Sequence, residues 1–209
     1  MSQQGDQYPA QLSVDFPDRE LNRTTTFFRL IAVIPIAIVI IAVAGSSSDD
    51  NGGQYATAGA GGGLFLAPLL MIVFRQKYPK WWFDWNVNQT KFSSRVAAYI
   101  LLLRDEYPST DEEQAVHIDI RYPDVQDDLN RWLPLVKWLL AVPHVIVLIV
   151  LWVAVVVVVI VAWFAILFSG RYPKRIFDFV VGVMRWSLRV EAYALLLTTD
   201  RYPPFGMDP

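Results

Sequence analysis

Few side chains in this 209-residue chain have the type and spacing that chemistry needs. His144 is the one ionisable residue in the 31-residue run from Trp138 to Phe168. An imidazole in apolar surroundings titrates near neutral pH or ligates a metal, and an ionisable group at membrane depth points to function. That makes His144 the candidate intramembrane functional residue. The competing reading ties it to a backbone carbonyl freed by the neighbouring Pro143. No second histidine or carboxylate accompanies it, as a metal site requires. Glu191 lies two residues from Arg189 and six from Arg185, neither a helical pairing distance. It is either a proton-relay group or a solvated glutamate on a helix surface.

A second pattern is electrostatic. Asp84, Asn88, Lys91 and Arg95 are spaced 4, 3 and 4 apart, and Asp178, Gly182, Arg185 and Arg189 repeat the spacing. Such intervals gather a basic stripe on one helical face, with an aspartate at the helix start suited to the N-cap and the dipole. Lys91, Arg95, Lys174, Arg175, Arg185 and Arg189 are the candidate contacts to lipid headgroups, anionic ones included. The alternative is that the stripe satisfies the positive-inside rule and pairs with Asp84 and Asp178. Gly52–Gly63 lacks the Gly-Lys-Ser/Thr ending of a phosphate loop and reads as a flexible turn. Cysteine is absent, which excludes thiol catalysis, disulfides and thiolate metal sites. With no nucleophile–base pair or metal constellation, no catalytic, cofactor-binding or metal-ligating residue is expected, and no enzymatic activity.

The elements that position these groups come from apolar blocks. Apolar residues make up 54% of the chain, and mean hydropathy is +0.33. All 18 Lys and Arg lie outside residues 30–74 and 138–170. The placement predicts spans at about 24–44 and 57–74, with the loop Gly45–Ala56 outside. A single helix through the second window would be too long for the roughly 30 Å hydrocarbon core, so the window is read as two spans, 132–150 and 152–169. The chain also repeats. At offset 94, Tyr78-Pro79-Lys80 matches Tyr172-Pro173-Lys174, and Arg95-Val96 matches Arg189-Val190. At offset 108, Leu21-Asn22-Arg23 matches Leu129-Asn130-Arg131.

The expected fold is an all-α membrane protein of two tandem repeats, each a transmembrane helical hairpin followed by an amphipathic interfacial helix, with short cytoplasmic β segments. A polar tail (1–10) precedes repeat 1 (11–108, interfacial helix 82–103). A linker (109–115) leads to repeat 2 (116–209, interfacial helix 176–198). Alternation at 12–16 and 116–122 predicts the strands, and Asp127 or Asp128 is placed as the cap of the third span.

The run Phe168-Ser-Gly-Arg-Tyr-Pro-Lys-Arg-Ile-Phe-Asp-Phe-Val-Val-Gly-Val-Met-Arg-Trp, with Arg189-Val-Glu-Ala-Tyr and Tyr202-Pro-Pro-Phe, resembles an uncharacterised bacterial integral membrane protein family, a domain of unknown function. The resemblance covers residues 120–206 closely and the first repeat loosely: Ile36 follows Pro35, and Ala97 replaces Glu191. It implies a membrane fold and no activity. The expectation is a multi-pass protein of the bacterial plasma membrane with both termini cytoplasmic. Its function is read as a non-catalytic accessory, scaffold or assembly subunit acting through protein and lipid contacts. Its partners are membrane lipids and a larger complex or further copies of itself, not nucleic acid. The alternative is a small transporter or channel with a path between the repeats, using His144 and the kinks at Pro35 and Pro143.

Overall fold

A computed structural model describes residues 7–17, 20–36, 66–110 and 112–208. Strand β1 (Ala10–Val14) buries Ala10, Leu12 and Val14 and turns Ser13 outward. Strand β2 (Val116–Ile120) buries Val116, Ile118 and Ile120 and exposes His117 and Asp119. The period of two gives each strand one core face. The strands pair antiparallel with Leu12 opposite Ile118. Two further bonds extend the ladder, Asp15 N to Ala115 O and Arg121 N to Pro9 O.

Helix α1 (Arg23–Ala32) is capped by Asn22, whose Oδ1 accepts from the N–H groups of Thr24 and Thr25. Helix α2 (Leu66–Arg75) widens to π geometry over Met71–Arg75 and stops at Gln76, which takes a left-handed φ of 45°. Helices α3 (Lys80–Ile100) and α5 (Lys174–Ala194) are both 21 residues long and both follow a proline, Pro79 or Pro173. Between β2 and α5 runs α4 (Pro134–Ser169), which ends at Gly170 with φ 72°.

Helix α4 overturns the expected pair of tandem transmembrane hairpins. Its 36 residues are continuous, and no turn separates 132–150 from 152–169. The physical reason lies in Val145–Phe168, which contains no Gly, Pro, Asn or Asp to form a turn. A break inside an apolar environment also leaves carbonyl and N–H groups without partners, whereas a helix satisfies them internally. Pro143 sits within the helix without ending it. Among the described residues α4 is the one helix long and apolar enough to cross a membrane. The first expected hairpin, with its loop Gly45–Ala56, falls largely outside the described residues.

Other boundaries move for local reasons. The expected interfacial helices 82–103 and 176–198 begin two residues earlier, at Lys80 and Lys174. Each ends short of a Leu-Leu-Leu turn in which Leu102 or Leu197 takes positive φ. Asp84 and Asp178 therefore lie in the second turn, not at a cap. Asp128 does not cap α4 either; its Oδ2 accepts from Asp124 N in a turn of its own. Helix α5 is not a free surface helix. Lys137 lies 5.2 Å from the Tyr193 ring, and Trp152 Nε1 donates to Ser187, so α5 runs antiparallel along α4. On its far side Arg185 donates to Leu12 O of β1.

Positions matched by the sequence repeat make matched contacts. Tyr78 Oη donates to Leu196 O at 2.9 Å, and Tyr172 Oη donates to Leu101 O at 3.3 Å. Each tyrosine thus reaches the turn that follows the other half's helix. Burial pushes the Tyr78 hydroxyl up to about 12 and raises Tyr172 further, so both remain protonated donors.

Candidate functional site

The most enclosed polar groups line the contact between α4 and the chain that follows α5. Helix α4 buries a narrow stripe, Pro134, Lys137, Ala141, His144, Leu148, Val155, Ala162 and Ile166, at intervals of 3, 4 or 7. Lys137 on this stripe is fully buried. Its Nζ donates to Thr199 O and lies 2.7 Å from Asp200 Oδ1. Asp200 Oδ2 accepts from Asn130 N. A comparable arrangement surrounds Arg29, which pairs with Asp105, donates to Tyr99 O and stacks over the Tyr99 ring at 4.6 Å. Asp105 in turn accepts from Asn22 N. Each buried cation thus has a carboxylate, a carbonyl and an aromatic face, the combination that offsets desolvation.

His144, about two helical turns beyond Lys137, is fully buried in an aromatic box. Trp186 Nε1 donates to its Nδ1 at 3.1 Å, Phe205 stacks on it at 3.9 Å, and the Tyr202 ring lies at 4.8 Å. An indole only donates, so Nδ1 is the unprotonated nitrogen and Nε2 carries the proton. Nε2 has no partner. The carbonyl freed by Pro143 is not its acceptor, contrary to the simpler expectation, because the ring turns inward to the indole. The box closes where the C-terminal segment folds back over α4 and α5, with Tyr202 Oη donating to Leu140 O. Among the described residues no group of three His, Asp or Glu stands where it could hold a metal.

The expected headgroup contacts are scattered. Arg185 donates to Leu12 O and Met207 O, and Arg189 donates to Asp208 O, so both are tied into protein. Burial lowers both guanidinium pKa values, yet arginine stays charged. Arg95 donates to Ser109 O. Lys91 is half-buried. Lys174 pairs with Asp178 at 3.5 Å, and Arg175 is exposed. Glu191 is half-buried between α3 and α5, where its Oε1 accepts from Thr90 Oγ1 at 3.1 Å. Burial raises its carboxyl pKa, opposed in part by the Thr90 bond.

Sequence reasoning missed Lys137, Asp200 and Trp186. A signal was present: Arg29 and Lys137 are 108 apart, and Tyr99 and Tyr193 are 94 apart, the two offsets of the repeat.

The segment that holds Lys137, His144, Trp186 and Asp200 coincides with a known family. Residues 132–206 match a domain of unknown function (DUF4389). No curated protein and no solved structure matches the chain.

Proposed function

We propose that the protein is a membrane-resident, non-catalytic accessory or scaffold subunit of the bacterial plasma membrane, working through lipid and protein contacts. One observation carries this reading. The outer face of α4 is apolar along its whole length, with Ile146, Val150, Val153, Val157 and Ile160 each more than half exposed. Soluble monomers rarely leave a contiguous apolar surface of more than a few hundred Å² in water. The buried bases and His144 point the same way, since Arg29, Lys137 and His144 each bind protein groups from another segment. His144 in particular is sealed by aromatic rings, which gives no support to a conducting path.

Alkaline carbonate washing of membranes, followed by native mass determination in mild detergent, tests the proposal. The expected result is retention in the membrane pellet and a particle heavier than one 23.8 kDa chain. Release into the wash removes the membrane reading. A stable lone chain removes the scaffold reading.

A further inference from the structure

A groove of about 570 Å³ opens between the end of α2 and the segment after β2. Arg75, Lys77 and Arg121 line it, and all three are exposed. Among the described residues their side chains make no ion pair. Asp124 and Asp128 also line the groove, but both are partly occupied locally. Asp124 Oδ1 accepts from Gln126 N, and Asp128 Oδ2 accepts from Asp124 N. Three bases against two acids leave the groove at a formal +1, with the bases unpaired.

The other half supplies an internal control. Arg121 and Asp15 are equivalent, since each N–H makes the same bond beyond the strand ladder. Lys77 corresponds to Arg171 at offset 94. There the charges cancel: Arg171 faces Glu20 at 3.7 Å, and Asp15 faces His117 at 3.1 Å. At offset 108, the register of Leu21-Asn22-Arg23 with Leu129-Asn130-Arg131, Glu20 corresponds to Asp128. Asp128 accepts from Asp124 N and makes no ion pair with a groove base among the described residues. The fold therefore does not require free cations at this position.

Phe74 precedes the groove residue Arg75, and Trp132 follows Arg131, whose Nε donates to Val73 O. Phe74 is 71% exposed and Trp132 62%. Aromatic rings of this kind collect at headgroup depth, where bases meet anionic phosphates.

We propose that this groove is a headgroup site for an anionic phospholipid, its phosphate held among Arg75, Lys77 and Arg121. The inference rests on the membrane reading above. The test uses the whole protein in neutral detergent, titrated with dioctanoyl-phosphatidylglycerol, with bound lipid counted by native mass spectrometry. Dioctanoyl-phosphatidylcholine and inorganic phosphate serve as comparison ligands. The triple variant Arg75→Gln, Lys77→Gln, Arg121→Gln is expected to bind phosphatidylglycerol about a hundredfold more weakly, about fivefold per base removed. Arg175→Gln, an exposed base elsewhere, is expected to match wild type. If the triple variant does not fold, Arg121→Gln alone replaces it, with a loss of about fivefold expected. Unchanged phosphatidylglycerol affinity in the variant overturns the site, as does equal affinity of wild type for phosphatidylcholine. Inorganic phosphate competing as well as the lipid overturns the lipid as its source. Wild type released by carbonate removes the membrane reading instead; retention in the pellet without phosphatidylglycerol binding removes only the site.

Discussion

A carboxyl held between two helices with a threonine hydroxyl as its partner is cheaper to keep neutral than charged. Glu191 is in that position, and burial raises its pKa above the ordinary 4.5. The folded state thus binds this proton more tightly than the unfolded chain. By linkage, the stabilising contribution is fully present below about pH 4.5, the unfolded value, and is lost as pH climbs through the folded one. Glu191→Gln keeps an acceptor for Thr90 and removes the titration. Thermal melts are expected to show wild-type stability falling across that interval while the variant stays flatter. Parallel profiles for the two proteins would rule out a buried titrating Glu191. The sequence offered relay or solvated surface as the choices for this residue. Neither considers the partner that matters, Thr90, 101 residues away, because no local pattern links α3 to α5.

At the scale of elements, α5 depends on one small residue. A Cβ at Gly182 would stand 2.7 Å from Met207 Cβ and 3.3 Å from Met207 O, closer than side chain and backbone tolerate. Gly182 is therefore where the C-terminal segment crosses α5, fixed by the Arg185 bond to Met207 O. Gly182→Ala is expected to cost about 1–3 kcal/mol, the usual range for overpacking. Faster hydrogen exchange or proteolysis near Met207 should accompany it. A variant as stable as wild type, with the segment still protected, would show that this crossing is not a packed contact. The elements themselves were unevenly legible. Alternation located both strands, and the Tyr-Pro pairs located the breaks before α3 and α5, since these are local signals. For α4, length set against bilayer thickness points to two spans, and the helix is single. The signal that decides is a valine-rich run with no residue able to turn. The buried bases Arg29 and Lys137 were hidden because their partners, Asp105 and Asp200, come from turns more than 60 residues away.

At the scale of the whole molecule, the length of α4 and the elements packed on it argue against a simple upright crossing. The helix is about 54 Å long, against about 40–45 Å for a whole bilayer including headgroups. More decisive is what lies beside it. Helix α5 follows its first half from Lys137 to Trp152, and α1 meets its second half, where Trp163 Nε1 donates to Thr26 O. The two-stranded sheet rests on α5 at Arg185, level with His144 and its Trp186 partner. Upright insertion of α4 would carry that sheet, with an open edge on each strand, to membrane depth, where unpaired backbone groups are not tolerated. A helix lying along the membrane, outer face in the acyl region and inner stripe on the protein, avoids this cost, as interfacial helices do. The chain has no cysteine, so single cysteines placed at Leu135, Val150, Val157 and Phe168 report depth directly. With an impermeant thiol reagent, Leu135→Cys and Phe168→Cys are expected to label from the same side of sealed vesicles. Val150→Cys and Val157→Cys, more than half exposed in the protein alone, should be shielded until detergent is added. Labelling of the two ends from opposite sides would show that α4 crosses after all, and that the sheet and α5 must rearrange when it does.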